Sequence, residues 1–296
     1  MLKLTEFTTQ DWLKLEPLNI AFKQFRNDTW LNYYCKKHPA ELKLFLQENS
    51  HLANQNIALV VAFEQPWALG WLLKMAKKNL HNATVLVFDN SRNIEARAKI
   101  KQVCAQNQAR YLALPMNNTK HVNRSHGMAM SWIYNNVVTA IKPQIFSFLD
   151  HDLIPISAVD FNEKLGNQAC YGRYNKGKFN YWSLWAGYCI FNYAMVKNKA
   201  LNFLYDFSCK LDTGGRNWPH IYQAIDANQY RHAYRNNVMI KLPNQYEPRQ
   251  VEILDERWVH MGGISYNDGF KDKFAFFEAM DEALEKVPDW RTLIVS

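Results

Sequence analysis

The chain has 296 residues, 48% hydrophobic and 21% charged, which excludes a disordered chain and allows one large α/β domain or two small ones. Its formal charge is +8, which favours an anionic partner such as a nucleotide, a phosphorylated substrate or an acidic membrane surface. Without a dense Lys/Arg run, nucleic acid is not expected, and the five cysteines (Cys35, Cys104, Cys170, Cys189 and Cys209), with no CxxC among them, argue against a disulfide framework and a structural zinc site.

A reducing compartment follows from that cysteine usage. The opening MLKLTEFTTQDWLKLE lacks the long apolar stretch of a signal peptide, and no run of about 20 apolar residues exists to span a membrane. The expectation is a cytoplasmic protein, with peripheral contact at the inner membrane face left open. Residues 1–54 carry helix-type patterns. Thr9 is a candidate cap in TQDWLKL, and Pro39 suits the first turn of PAELKLFLQENS. These residues read as a helical extension before a main domain over 55–296.

At Ile57 the pattern changes. IALVVAF is a continuous apolar run, as in a strand buried on both faces. Pro66 opens a helical stretch, PWALGWLLKMAKKN. ATVLVFD is a second strand, ending at Asp89, and RNIEARAKIKQVCAQ a helix. ARYLALP is a third strand. SHGMAMSWIYNNVVTAI is a helix with Ser125 as a candidate cap, and QIFSFLD a fourth strand ending at Asp150. This alternation predicts a mostly parallel sheet flanked by helices, with ligands at the carboxyl ends of its strands. Glu64, Asp89 and Asp150 fall at or just after strand ends and face one predicted crevice.

The second half is more irregular. Ser157 with Asp160 resembles a capping box. ACYGRY and GYCIFNY read as short strands, 195–208 and 217–228 as helices, NNVMIKL as a strand and 271–286 as a final helix. Residues 55–155 form the expected nucleotide-binding half, and 156–296 the other half. Aromatics make up 14% of the chain, ten of them Trp and fifteen Tyr, enough to fill a core or to wall a pocket that stacks on flat rings or sugars.

The segment IFSFLDHDLIP holds the chemistry. An apolar strand running into Asp150-His151-Asp152 suits two reactions. In one, the carboxylates bind a divalent ion that steadies a departing nucleoside diphosphate. Hard oxygen ligands favour Mn2+ or Mg2+ there. In the other, a haloacid-dehalogenase-like phosphatase, Asp150 is the nucleophile and Asp152 the acid/base. That motif belongs to the first strand of its domain, whereas three strand-helix units come first here. Its second acid pair has only a faint echo in Asn267-Asp268-Gly269 with Asp272, without an apolar run before it.

Five segments in order, VFDNSRN, NRSHGMAMSWIYNN, FSFLDHDLIP, WAGYCIFNY and WVHMGG, resemble a GT-A fold nucleotide-sugar glycosyltransferase of the broad family-2-like kind, over roughly residues 56–265. The resemblance implies a GT-A, Rossmann-like sheet, a nucleotide-sugar donor, and a glycan or lipid-linked acceptor in bacterial surface polysaccharide synthesis. It implies that Asp89 meets the base or ribose, Asp150 the ribose or metal, and Asp152 and His260 the metal. Glu64 and Arg124, with Lys120, lie where the donor is expected. Trp182, Trp185 and Tyr188 are candidate acceptor contacts. The chain departs from the family at two points. Its first strand ends Ala62-Phe63-Glu64 rather than Pro-Thr, and no Glu-Asp pair supplies a base. Asp212 of KLDTGG is the candidate base, for direct displacement with inversion. Strand alternation turns His151 away from the acids as a bystander. A non-catalytic nucleotide-sugar-binding module on the same fold is a further alternative.

Overall fold

The computed structural model describes residues 2–243, 247–263 and 270–295, of 270–272 the backbone only. The chain opens with α1 (Thr9–Leu13), α2 (Glu16–Cys35) and α3 (Leu42–Glu48). It continues through β1 (Asn56–Ala62), α4 (Pro66–Asn79), β2 (Leu80–His81), β3 (Thr84–Asp89), α5 (Ile94–Gln106), β4 (Arg110–Ala113) and α6 (Val122–Ile133). One π-helical turn joins α6 to α7 (Thr139–Ile141), and β5 (Ile145–Asp150) follows. Next come β6 (Leu153–Pro155), β7 (Val159–Asp160), α8 (Phe161–Leu165), β8 (Cys170–Lys176), β9 (Trp182–Asn192) and α9 (Tyr193–Val196). The last elements are β10 (Arg235–Ile240), β11 (Arg249–Leu254), β12 (Trp258–His260), α10 (Phe270–Lys286) and β13 (Ile294–Val295).

Among the described residues the main sheet has the order β4-β3-β1-β5-β9-β8. β4, β3, β1 and β5 are parallel, and β9 and β8 continue the sheet antiparallel. The expected mixed α/β architecture, a mostly parallel sheet flanked by helices, is present. A second sheet, β13-β10-β11-β12-β6, branches from the end of β5.

β1 shows why the sheet is covered on both sides. All seven of its residues are buried. Successive side chains point to opposite faces. Ala58, Val60 and Ala62 join the core formed with α4, α5, the second sheet and α10. Ile57, Leu59 and Val61 join a core with α2, α3 and α6. The helical extension is thus packed against the sheet, through Leu31, Tyr34, Leu42 and Phe45.

Several local expectations need correction. Thr8, not Thr9, caps α1; its hydroxyl accepts from the Asp11 amide and the Asp11 carboxylate accepts back from Thr8. α6 begins at Val122 and is capped by His121, so Ser125 lies inside the helix, where its hydroxyl accepts from the Asn90 side chain Nδ2. Residues 195–208 and 217–228 are not long helices. They hold the end of α9 and short 3-10 turns, because their backbone groups bond across the segment: Gly214 N–H donates to Phe203 O, and Arg216 N–H to Leu204 O. β9 takes in residues expected to form a connection, and β11, β12 and β6 were not anticipated. Asp160, not Ser157, caps α8, accepting from the amides of Asn162 and Glu163, so the expected capping box is replaced by a single cap three residues later. All five cysteines are free, and among the described residues no helix is long and apolar enough to cross a membrane.

Candidate active site

The carboxyl ends of β1, β3 and β5 open on one side of the sheet, as their parallel registers require. Asp150 ends β5, and the chain then turns through His151 and Asp152 into β6. β6 pairs antiparallel with β12, with Leu153 opposite His260. The Met261 amide also donates to the Asp152 carbonyl at 3.1 Å. This register sets His260 beside the carboxylate pair, with His260 Nε2 3.9 Å from Asp152 Oδ1. That separation is too long for a hydrogen bond.

His260 is itself oriented. β11 pairs with β12 so that Glu252 lies opposite His260, and Glu252 Oε1 is 3.0 Å from His260 Nδ1. A carboxylate on one ring nitrogen fixes the other as the outward-facing one. Arg235 Nε at 2.7 Å and Arg173 Nη1 at 3.4 Å also meet Glu252. Burial disfavours the His260 imidazolium, but the Glu252 bond and the charges of Asp152, Glu252 and Asp150 outweigh it and hold its pKa above the usual histidine value. Burial works against the Glu252 carboxylate too, but His260, Arg173 and Arg235 pull its pKa down. Trp185 stands edge-on to the His260 ring at 4.6 Å, and the Arg173 guanidinium lies 5.0 Å from the Trp185 ring centre.

Asp150 has a different partner. His126 Nε2, on α6, is 3.6 Å from Asp150 Oδ1. Burial raises the Asp150 pKa, His126 opposes the shift, and Asp152 adds to it. On the far side Gly187 of β9 leaves room for Asp150. A methyl group at Gly187 would strike Asp150 Oδ2 and the Trp185 ring. His151 is buried and lines the cavity beside Asp150; its Nδ1 is 3.3 Å from the Val61 carbonyl, and its Nε2 has no hydrogen-bond partner among the described residues. It sits in the wall, not turned away as expected.

That cavity, about 270 Å³, is bounded by Phe63, Asn90, Arg92, Lys120, His126 and His151, among others. A second, of about 430 Å³, opens beyond His260 between Arg235, Arg249, Lys273 and the Gly262–Gly263 pair. The Asp150–Asp152–His260 group therefore stands between two hollows, with Asp150 in the wall of the first and His260 in the wall of the second.

The other expected residues divide. Asp212 is exposed; its Oδ1 accepts from the Thr213 amide at 2.7 Å and from the Asn123 side chain at 2.5 Å. Asn123 is one helical turn before His126, so Asp212 is tied to the end of α6 that flanks the cavity. Asp89 is fully buried, and its oxygens accept from the Ser91 amide and the Tyr111 hydroxyl. It shapes the turn after β3 instead of facing a ligand. Glu64, in a left-handed conformation, accepts from the amides of Arg92 and Asn93 and ties that loop to β1. Arg124 turns away from the cavity, to Thr119, the Tyr205 hydroxyl and the face of Trp30. Trp182 and Tyr188 are buried, Trp182 against Tyr174, Tyr222 and Tyr230, and Tyr188 bonded to Asp255. They are core residues; of the three expected acceptor aromatics, Trp185 borders the site.

His126, Glu252, Gly187 and Arg92 were not anticipated. The elements that bring them to the site pair or pack across long stretches of chain. Asn267, Asp268, Gly269 and the Asp272 side chain lie outside the described residues.

Among the described residues no three His, Cys, Asp or Glu side chains converge closely enough to enclose a metal ion on their own. Asp152 and His260 still offer a carboxylate and an oriented imidazole to one space, with Asp150 beside them. This donor set fits a hard divalent ion that takes its remaining ligands from a bound anion and water.

No family model matches the sequence, and no curated protein matches it. Solved structures similar to parts of it include glucosyl-3-phosphoglycerate synthase from Mycobacterium tuberculosis, in complex with Mn2+ and UDP-glucose. Identity is 11% and the TM-score 0.33, over 54% of this chain and 63% of that one. The same synthase with phosphoglyceric acid matches at 11% identity and a TM-score of 0.34, over 55% and 65%. A mannosyltransferase from Pyrobaculum calidifontis, in complex with GDP-mannose and Mn2+, matches at 8% identity and a TM-score of 0.36, over 61% and 56%. The chain thus spans less than two thirds of each of these structures.

Proposed function

We propose that the chain is a metal-dependent glycosyltransferase that moves a sugar from a nucleotide-diphosphate donor to a glycan or lipid-linked acceptor. The observation that carries this reading is the β6–β12 register. It sets an imidazole, oriented by Glu252, opposite the second carboxylate of a strand-end Asp-His-Asp, beside a cavity with basic walls.

In this reading Asp152 and His260 hold Mn2+ or Mg2+, with Asp150 next to them. When bound, that ion offsets the negative charge that grows on a departing diphosphate. Asn90, Arg92 and Lys120 line the cavity where the nucleotide would lie, in place of Asp89 and Arg124. His126 steadies Asp150, and Gly187 keeps the approach to it open. Asp212 takes the proton from the acceptor hydroxyl as that oxygen bonds to the anomeric carbon and the nucleoside diphosphate leaves from the opposite face, a single displacement with inversion. Its bonds to Asn123 and Thr213 fix its carboxylate for that task. Trp185 offers a ring edge and face on which a sugar can rest.

A thermal-shift screen of UDP, GDP and CDP with and without Mn2+ tests the class, followed by release of diphosphate from a panel of nucleotide-sugars. Stabilisation by one nucleotide only in the presence of metal is expected. If no nucleotide stabilises the protein under either condition, the proposal is wrong.

A further inference from the structure

α2 has two faces of opposite character. Its inner face carries Gln24, Asn27, Leu31 and Tyr34, all buried. Asn27 donates to the Tyr205 hydroxyl and Gln24 to Asp206, and Arg216 forms an ion pair with Asp28 at 3.0 Å. These bonds fasten the helix to the segment that also carries Asp212.

The outer face is apolar and, among the described residues, uncovered. Leu18 is 60% exposed, Phe22 67% and Phe25 71%, with Leu13 at 80% at the end of α1 and Leu15 at 57% in the turn between the two helices. The spacing 18, 22, 25 is that of one helical stripe. Burying one such side chain is worth about 1.5–3 kcal/mol, so five left in water mark a surface that gains by being covered. Along α1 and α2 stand exposed Lys14 and Lys23 and half-buried Arg26, with exposed Lys36 and Lys37 just past the end of α2, against exposed Glu16 and half-buried Asp11, whose carboxylate is taken up by the Thr8 amide and hydroxyl. Asp28 is already paired with Arg216 on the inner side.

We propose that α1 and α2 form an interfacial anchor that lays this Leu/Phe stripe into the headgroup layer of an anionic lipid bilayer, with the lysines on its phosphates. Charge complementarity favours lipid over a second copy of the chain. Two copies meeting through this face would bring their lysines together across the twofold axis, whereas an anionic leaflet attracts each of them. With its charged residues α2 lies in the plane of the interface and does not cross it. Because α2 is bonded to residues 202–217, the anchor would also fix how the Asp212 segment faces the bilayer. The proposal is independent of the sugar-transfer reading, since it needs neither donor nor metal.

The test is co-sedimentation of the full chain with vesicles of phosphatidylcholine alone or mixed with phosphatidylglycerol. Binding at least tenfold tighter to the mixed vesicles, and weakened by salt, is expected. Phe22→Ser/Phe25→Ser should lower that affinity at least tenfold with an unchanged melting temperature. Lys14→Glu/Lys23→Glu should remove the preference for the anionic lipid. Absence of vesicle binding, or variants that bind like the parent, would overturn the proposal. So would a dimer in sedimentation velocity that Phe22→Ser/Phe25→Ser dissociates, since a second copy would then cover the stripe.

Discussion

His260 is gripped from behind by Glu252 and faces Asp152 in front, so its neighbours can be tested one at a time. Glu252→Gln keeps the shape but weakens the orienting carboxylate. A loss of about 10–100-fold in Mn2+ affinity is expected, the usual effect of disturbing a group that orients a metal ligand; a Mn2+ titration followed by nucleotide stabilisation measures it. Asp152→Asn removes a charge at nearly constant volume. It should abolish the metal-dependent part of the nucleotide thermal shift and leave the fold intact. Gly187→Ala puts a methyl into the space held by Asp150 Oδ2 and the Trp185 ring. Overpacking of this kind costs about 1–3 kcal/mol, so both turnover and the urea midpoint should fall; an unchanged turnover would show that the Asp150 position does not matter. Asp150, Asp152 and His260 could be read from the sequence because each sits at the end of an apolar strand or before a glycine pair. His126 and Glu252 could not. An ordinary histidine in a helix and an ordinary glutamate in a strand gain meaning only from what the fold puts opposite them.

The elements were legible in proportion to how local their causes are. β1, β3 and β5 are continuous apolar runs, α4 opens on Pro66 and α5 is capped by Asn93, and all five are present in the structure. β6 and β12 have three residues each and exist because they pair with one another. Such short strands leave no pattern of their own. The region from 195 to 228 reads as helix by composition, yet its amides bond to carbonyls several residues away across turns, and Gly214 takes a left-handed conformation. β9 shows how pattern and role can part. Trp182, Tyr188 and Phe191 are core, Trp182 among three tyrosines, while Trp185 on the same strand reaches His260. Trp182→Ala should therefore cost about 3–5 kcal/mol of stability, seen in urea unfolding. Trp185→Ala should unfold nearly like the parent and show its defect in acceptor KM. The reverse pattern would return Trp182 to the site.

At the scale of the whole molecule, the sheet divides two cores, and the helical extension belongs to the one with α6. The Asp28–Arg216 pair links that extension to the second half of the chain; the arginine side chain is 14% exposed and the aspartate 39%. Partial exposure keeps its worth small, so Asp28→Ala should lower stability by only about 1 kcal/mol, measured by chemical denaturation. The alternation of β1 made the two-sided burial legible, but the second sheet could not be foreseen because its members come from widely separated parts of the chain. The pairing of β6 with β12 also has a bearing on synthesis. Asp150 and Asp152 emerge from the ribosome about a hundred residues before His260, and contacts of such long span form late. Until β12 arrives, the growing protein carries two neighbouring carboxylates with neither Glu252 nor His260 beside them. The main parallel strands can settle first, and the Asp150–Asp152–His260 group is completed only when one of the last strands docks. Slow translation ahead of β12 would then lengthen the life of a nascent chain whose main sheet is folded but whose candidate site is unfinished.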